Sequence, residues 1–187
     1  MANIEHDELI SILDRVNSWI DNCDSKASTL LSGVGVFAGI LLGTDYVSKI
    51  IQIGKYMYEK STILSISFLA ITGIALLMLL IGVFFLAGVL FARVNMMDYK
   101  ELGSNYDSLI FFSSIAKNQT FSIFQRKIKA CNRKQMDNDY ASQIYICSLI
   151  CDKKFGLYKN GLIFVIIGFT VFTIMLIIGA FVSKTIG

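Results

Sequence analysis

The chain has 187 residues, 55% hydrophobic and only 17% charged, with Lys+Arg 17 against Asp+Glu 14, and it contains no proline. That is too apolar for a plain water-soluble enzyme or a disordered tail. Four cysteines are too few for a secreted disulfide scaffold.

The charges are unevenly spread. None falls in residues 27–44, 61–92 or 161–183, while the remainder has a soluble protein's share. As helices these windows would be about 27, 48 and 35 Å long, against a hydrocarbon core of about 30 Å. The sequence therefore predicts an all-α membrane protein: three transmembrane helices, an N-terminal amphipathic helix and a small helical cytoplasmic domain.

Residues 1–26 read as the amphipathic helix, with Leu9, Ile12, Leu13, Val16 and Ile20 at three- and four-residue spacing. Six acids against Arg15 and Lys26 exclude the basic start of a signal peptide and disfavour an anionic membrane surface, so packing on the cytoplasmic domain is preferred. Trp19 reads equally as an interfacial anchor or a core residue.

Residues 27–47 form the first span, in which Gly35, Gly39 and Gly43 make a smooth groove of the kind along which membrane helices approach closely. The groove serves either another span of the same chain or a second copy. Residues 48–61 read as a short external loop, and residues 62–92 as the second span, long enough to require tilt.

Residues 93–160 are the only sizeable polar segment, with eleven Lys and Arg against six acids. Two helices are expected here, one with Phe121, Phe124, Ile128 and Cys131 on a face and one with Tyr140, Ile144, Cys147, Cys151 and Phe155. The second meets no breaker and is expected to run into the third span, 161–183, as one rod. The apolar knot Ile110, Phe111 and Phe112 suits a short strand or a helix start, with helix preferred. Three crossings place thirteen of the seventeen Lys and Arg on the side of the N-terminus and the polar segment, which orients both to the cytoplasm.

No catalytic set is visible, and we expect no enzyme. The one histidine, His6, reads as an exposed helix residue, and no phosphate-binding glycine motif occurs. Cys23, Cys131, Cys147 and Cys151 lack Cys-x-x-Cys spacing, so neither a metal nor a cofactor is expected, and small buried hydrophobes are the preferred reading. The basic cluster Arg126, Lys127, Lys129, Arg133 and Lys134 reads as a solvated face, a headgroup contact or part of a phosphate site. No base-stacking ladder accompanies it, so nucleic acid is not an expected partner.

The stretch NSWIDNCDSKASTLLSGVGVFAGIL (17–41) resembles the signature of the Pycsar transmembrane effectors, as do SLIFFSSIA (108–116) and SQIYICSLICDKKFGLYKNG (142–161), in the same order around the same span layout. The resemblance implies antiphage defence at the bacterial inner membrane. A cyclase encoded nearby would make cyclic CMP or cyclic UMP, and the effector would respond by impairing the membrane in an abortive infection. The family-like positions are Trp19, Asp24, Lys26, Phe112, Gln143 and Lys154. With that ligand in view, Lys26, Lys154 or the cluster from Arg126 would contact the phosphate, Phe112 or Tyr140 would stack on the base, and Gln143 would hydrogen-bond its edge. Each also has a plain packing reading, Asp24 with Lys26 as a helix-end ion pair among them. Trp19, Asp24, Gly35, Gly39 and Gly43 are expected to serve structure or gating, the glycines in a homo-oligomer. The competing reading is a constitutive membrane adaptor or assembly protein without a small-molecule ligand.

Overall fold

The computed structural model describes residues 5–43, 46–60, 62–91 and 108–184, and among these there are six α-helices and no strand. They are α1 (His6–Leu42), α2 (Tyr46–Lys60), α3 (Ile63–Leu90), α4 (Phe112–Ala116), α5 (Phe121–Ala130) and α6 (Arg133–Lys184). The first part of the expected polar domain, 93–107, lies outside the described residues. Three helices, α1, α3 and α6, are long and apolar enough to cross a membrane.

Helix boundaries follow local chemistry. Asp7 and Glu8 in the first turn of α1 complement its dipole, and Glu8 accepts a bond from the Glu5 backbone N–H at 3.0 Å. Nothing then breaks α1 for 37 residues, so the expected amphipathic helix and first span are one element. It stops at Leu42 and α2 starts at Tyr46. The segment expected as an external loop is thus a 15-residue helix.

Thr62 caps α3 by accepting from the Ser65 N–H. Asn132 and Gln135 cap α6 reciprocally: each backbone N–H donates to the other's side-chain oxygen at 2.9 Å. With no internal proline, α6 runs unbroken for 52 residues.

The chain divides into two units: a polar one, Met1–Cys23 with Ala92–Lys154, and an apolar one, Asp24–Phe91 with Phe155–Gly187. In the apolar unit α3 and α6 lie antiparallel at very close range. The buried positions of α6, namely Gly161, Val165, Gly168, Phe172, Met175 and Gly179, alternate four- and three-residue steps, the 3.5-residue repeat of a helix seam. Across it Gly161 faces Leu86, Gly82 faces Val165, Gly168 faces Leu79 and Gly179 faces Phe68, all in one register.

A methyl group would not fit at three of these glycines. A Cβ at Gly82 would stand 2.8 Å from Val165 N, at Gly161 3.1 Å from Leu86 N, and at Gly168 2.9 Å from Leu79 N. Backbone therefore meets backbone, as in membrane helix pairs built on small residues. Phe85 stacks on Phe164 at 5.9 Å, and Phe37 of α1 meets Phe169 edge-on at 4.7 Å.

The outward faces of these helices carry large apolar side chains. Ile63 is 85%, Leu64 84% and Phe84 79% exposed, a surface that water would not tolerate over such an area and acyl chains would cover.

Candidate functional site

The polar unit is where polar groups are buried. Val16 and Cys23 of α1 are buried, as are Ser108, Ser114, Asp139, Gln143, Ile146 and Cys151. The first turn of α1 is tied to α6 by His6, whose Nδ1 lies 2.6 Å from Asp137 Oδ1 and whose ring meets Tyr140 edge-on at 5.3 Å. His6 is therefore a tertiary contact, not the exposed helix residue expected.

The Ile110–Phe112 knot is the helix start preferred over a strand, with Phe111 the N-cap and Phe112 the first residue of α4. It is a turn feeding the five-residue α4. The Ser108 Oγ accepts from the N–H groups of Ile110 at 3.2 Å and Phe111 at 3.0 Å, and the Leu109 N–H donates to Asp139 Oδ2 at 2.7 Å. A hydrogen bond to a carboxylate is among the stronger ones, so Asp139 pins this turn to α6. Asn118 closes α4 by donating to the carbonyls of Ser114 and Ile115.

One helical turn beyond Asp139 on the same face sits Gln143, 3% exposed, with no hydrogen-bond partner for its Nε2 among the described residues. Burying an amide donor unpaired costs about 1–3 kcal/mol. The cost disappears when an acceptor enters the site. Chemically the place offers a buried donor beside a carboxylate-anchored turn with the rings of Tyr140 and Phe111 on the elements that frame it.

The other expected ligand residues are dispersed. Lys154 is buried at the end of the polar unit, on the Gln143 face of α6 but three turns on. Phe112 is 67% exposed, its ring 4.8 Å from that of Phe111. Arg126 is exposed on α5, a helix that buries none of its residues, so Phe121 and Ile128 stand in the open instead of forming the expected packed face. Lys26 is exposed and Asp24 half-buried, both in the apolar unit, and Trp19 is half-exposed in the polar one.

Gly35 and Gly39 are exposed, and a Cβ added at either would meet nothing within 4 Å. The groove they form is not used by another span of this chain. The glycines that do pack, Gly82, Gly161 and Gly168, were missed, although the seven-residue step from Gly161 to Gly168 was a readable sign.

Burial raises the thiol pKa of Cys147, reinforced by the charge of Cys151. Burial likewise raises that of Cys151, with Asp152 adding to the effect and Lys154 opposing it. Both are therefore poor nucleophiles at neutral pH. Among the described residues no group of three or more His, Cys, Asp or Glu is placed to hold a metal ion. An open groove along α1 is lined by Asp7, Glu8, Ser11, Ile12 and Arg15, too acidic for an anion.

A helical polar unit joined to three helices long and apolar enough to cross a bilayer marks a membrane protein. The chain belongs to the Pycsar effector family: residues 8–181 match the Pycsar effector protein domain. It is 35% identical over 181 residues, 90% of each chain, to the Pycsar effector protein GmPycTM of Gulbenkiania mobilis. No solved structure matches it.

Proposed function

We propose that this protein is the effector of an antiphage system that senses a cyclic pyrimidine mononucleotide, cyclic CMP or cyclic UMP, in its polar unit. It then impairs the bacterial inner membrane to abort infection. Family membership supports the defence role and an adjacent cyclase as partner. The observation that carries the ligand reading is Gln143, whose buried Nε2 lacks an acceptor among the described residues, a role that a ring carbonyl or nitrogen of a pyrimidine would fill.

In this reading Gln143 donates to the base edge, and Phe112 or Tyr140 supplies a stacking ring. The phosphate points away from Asp139, toward Lys154 or the basic residues from Arg126, because like charges repel. The Lys and Arg distribution orients the N-terminus to the cytoplasm, where such a nucleotide would be made. The open Gly35–Gly39 face is the proposed surface for self-association, since small residues let helix backbones meet. A ligand shifts the arrangement of the spans only by its differential affinity for the two states.

Calorimetry of the full-length protein in detergent against cyclic CMP, cyclic UMP and cyclic AMP tests the reading. One pyrimidine nucleotide is expected to bind and cyclic AMP not. Gln143→Leu should weaken binding at least tenfold, about 1.4 kcal/mol, while leaving the free protein as stable or up to about 1–3 kcal/mol more stable. Binding of none of the three nucleotides would overturn the sensor reading and favour a constitutive membrane adaptor. Unchanged self-association and toxicity in Gly39→Leu would dismiss the glycine face.

A further inference from the structure

We infer that α2 is an interfacial helix, seated in one leaflet of the bilayer with phospholipid as the occupant of its exposed apolar shoulder. Two independent observations place it there: its depth along the spans and the distribution of its side chains around the helix.

Depth comes from Gly179. A Cβ there would meet Phe68 Cζ at 3.3 Å and Ile53 Cγ2 at 3.4 Å, so the middle of α2 is level with both. Phe68 is five residues inside the start of α3 at Ile63, and Gly179 is five inside the end of α6 at Lys184, about 7.5 Å in each case. The 28 residues of α3 span about 42 Å, roughly 12 Å more than the hydrocarbon core, which leaves about 6 Å of surplus at each end if shared equally. Ile53 then lies at the boundary between headgroups and acyl chains, the depth at which amphipathic helices rest.

The side chains sort accordingly. Ile50, Ile53, Gly54 and Met57 turn toward the protein, with Met57 buried. The opposite pole is polar: Ser48, Gln52, Lys55 and Glu59, all exposed. Between pole and core lies a shoulder of Val47, Ile51 and Tyr58, one and then two turns apart on one side, with Ile51 52% and Tyr58 78% exposed. The exposed apolar surface of the spans begins at Ile63 and Leu64, five and six residues after Tyr58 in sequence and 85% and 84% exposed. Acyl chains that cover those residues extend over Ile51 and Tyr58 as well. Lys55 then reaches the headgroup layer from the polar pole, its stem lying along the boundary.

The test places a single fluorescent reporter in the full-length protein. Trp19 is the chain's one tryptophan, so Trp19→Phe clears the background, and Tyr58→Trp or Leu77→Trp, the latter at a 59% exposed position, is added to it. Each is reconstituted in phosphatidylcholine vesicles carrying bromine either high or low on the acyl chain, and each is also exposed to aqueous acrylamide. Position 58 should be quenched most by shallow bromine, and position 77, midway along α3, by deep bromine. Acrylamide as the only effective quencher at 58, or no quenching there by anything, would overturn the inference, the first meaning water and the second a protein partner. Because membrane crossing is read separately at 77, failure at 58 alone leaves the spans standing, and failure at both removes them.

Discussion

Gly168→Ala adds one methyl group to α6 at the point where it crosses α3. The new Cβ would sit 2.9 Å from Leu79 N and 3.0 Å from Ala75 O, well inside the 3.5–4.0 Å at which heavy atoms attract. Both neighbours are backbone, so no rotamer change relieves the clash and the helices must separate by roughly 0.5–1 Å, which forfeits a quarter to a half of the attraction in flanking contacts. Overpacking of this kind costs about 1–3 kcal/mol. Replacing glycine inside a helix returns about 0.5–1 kcal/mol. The net expectation is a loss of about 1–2 kcal/mol.

Gly156→Ala, on the same helix, is the internal control, since its Cβ would meet nothing within 4 Å and only the propensity gain of about 0.5–1 kcal/mol remains. The same chemical change should therefore move stability in opposite directions at two glycines of one protein. Unfolding of each variant in detergent micelles, followed by far-ultraviolet circular dichroism against increasing dodecyl sulfate, reads the difference. Equal shifts in the two variants, or a Gly168→Ala protein as stable as the parent, would refute the close backbone contact between α3 and α6.

Asp139→Ala should cost about 1.5–3 kcal/mol, because the Leu109 N–H loses its 2.7 Å acceptor. Amide hydrogen exchange at 109–111 should rise with it, and unchanged exchange would contradict the pinning role. His6→Ala should cost less than about 1 kcal/mol, since its contact with Asp137 is partly open to solvent; denaturant titration measures it. The raised thiol pKa values of Cys147 and Cys151 mean that the folded protein holds these protons more tightly than the unfolded chain. Their contribution to stability is fully present below the ordinary thiol pKa and is lost as pH rises through the raised folded values. Iodoacetamide should accordingly modify both more slowly than it modifies a free thiol at pH 9, and mass spectrometry of time points reads this directly.

The helical class and the three spans were legible because charge exclusion over windows longer than a bilayer is a coarse and redundant signal. The continuity of α6 was legible for the same reason, as no proline or glycine turn interrupts 133–184. The α2 helix was not, because YVSKIIQIGKYMYEK is too short and too mixed to stand alone in water, and its order comes from packing on the spans. The glycine pattern was half legible: GxxxG in α1 stands out by eye, yet the seam that packs is the heptad of Gly161 and Gly168, whose spacing is less conspicuous. Gln143 was singled out by resemblance, whereas Asp139, its neighbour by one turn, was missed. An acid within an apolar stripe carries no mark of what will satisfy it, and its partner, the Leu109 N–H, is a backbone group without a signature of its own.

Magnitudes also limit what Gln143 can do under the proposed function. Its unpaired donor stores about 1–3 kcal/mol in the free protein, and an acceptor that enters releases that amount. Turning an effector from one part in a hundred active to ninety-nine parts requires about 5.5 kcal/mol of differential affinity. Gln143 therefore supplies a fraction of the switch and other groups must supply the rest by changing environment when the ligand arrives. In the polar unit the side chains with most to gain are those now open to solvent: Phe112 at 67%, Phe121 at 74%, Trp19 at 52% and Tyr145 at 49% exposed, with Ile128 at 46%. Covering one such aromatic ring is worth about 1.5–3 kcal/mol, so two of them together with Gln143 reach the required range. A switch of this size thus needs two such rings to be covered as Gln143 is satisfied, and α5, which buries none of its residues, is the helix of the polar unit least committed to its present packing.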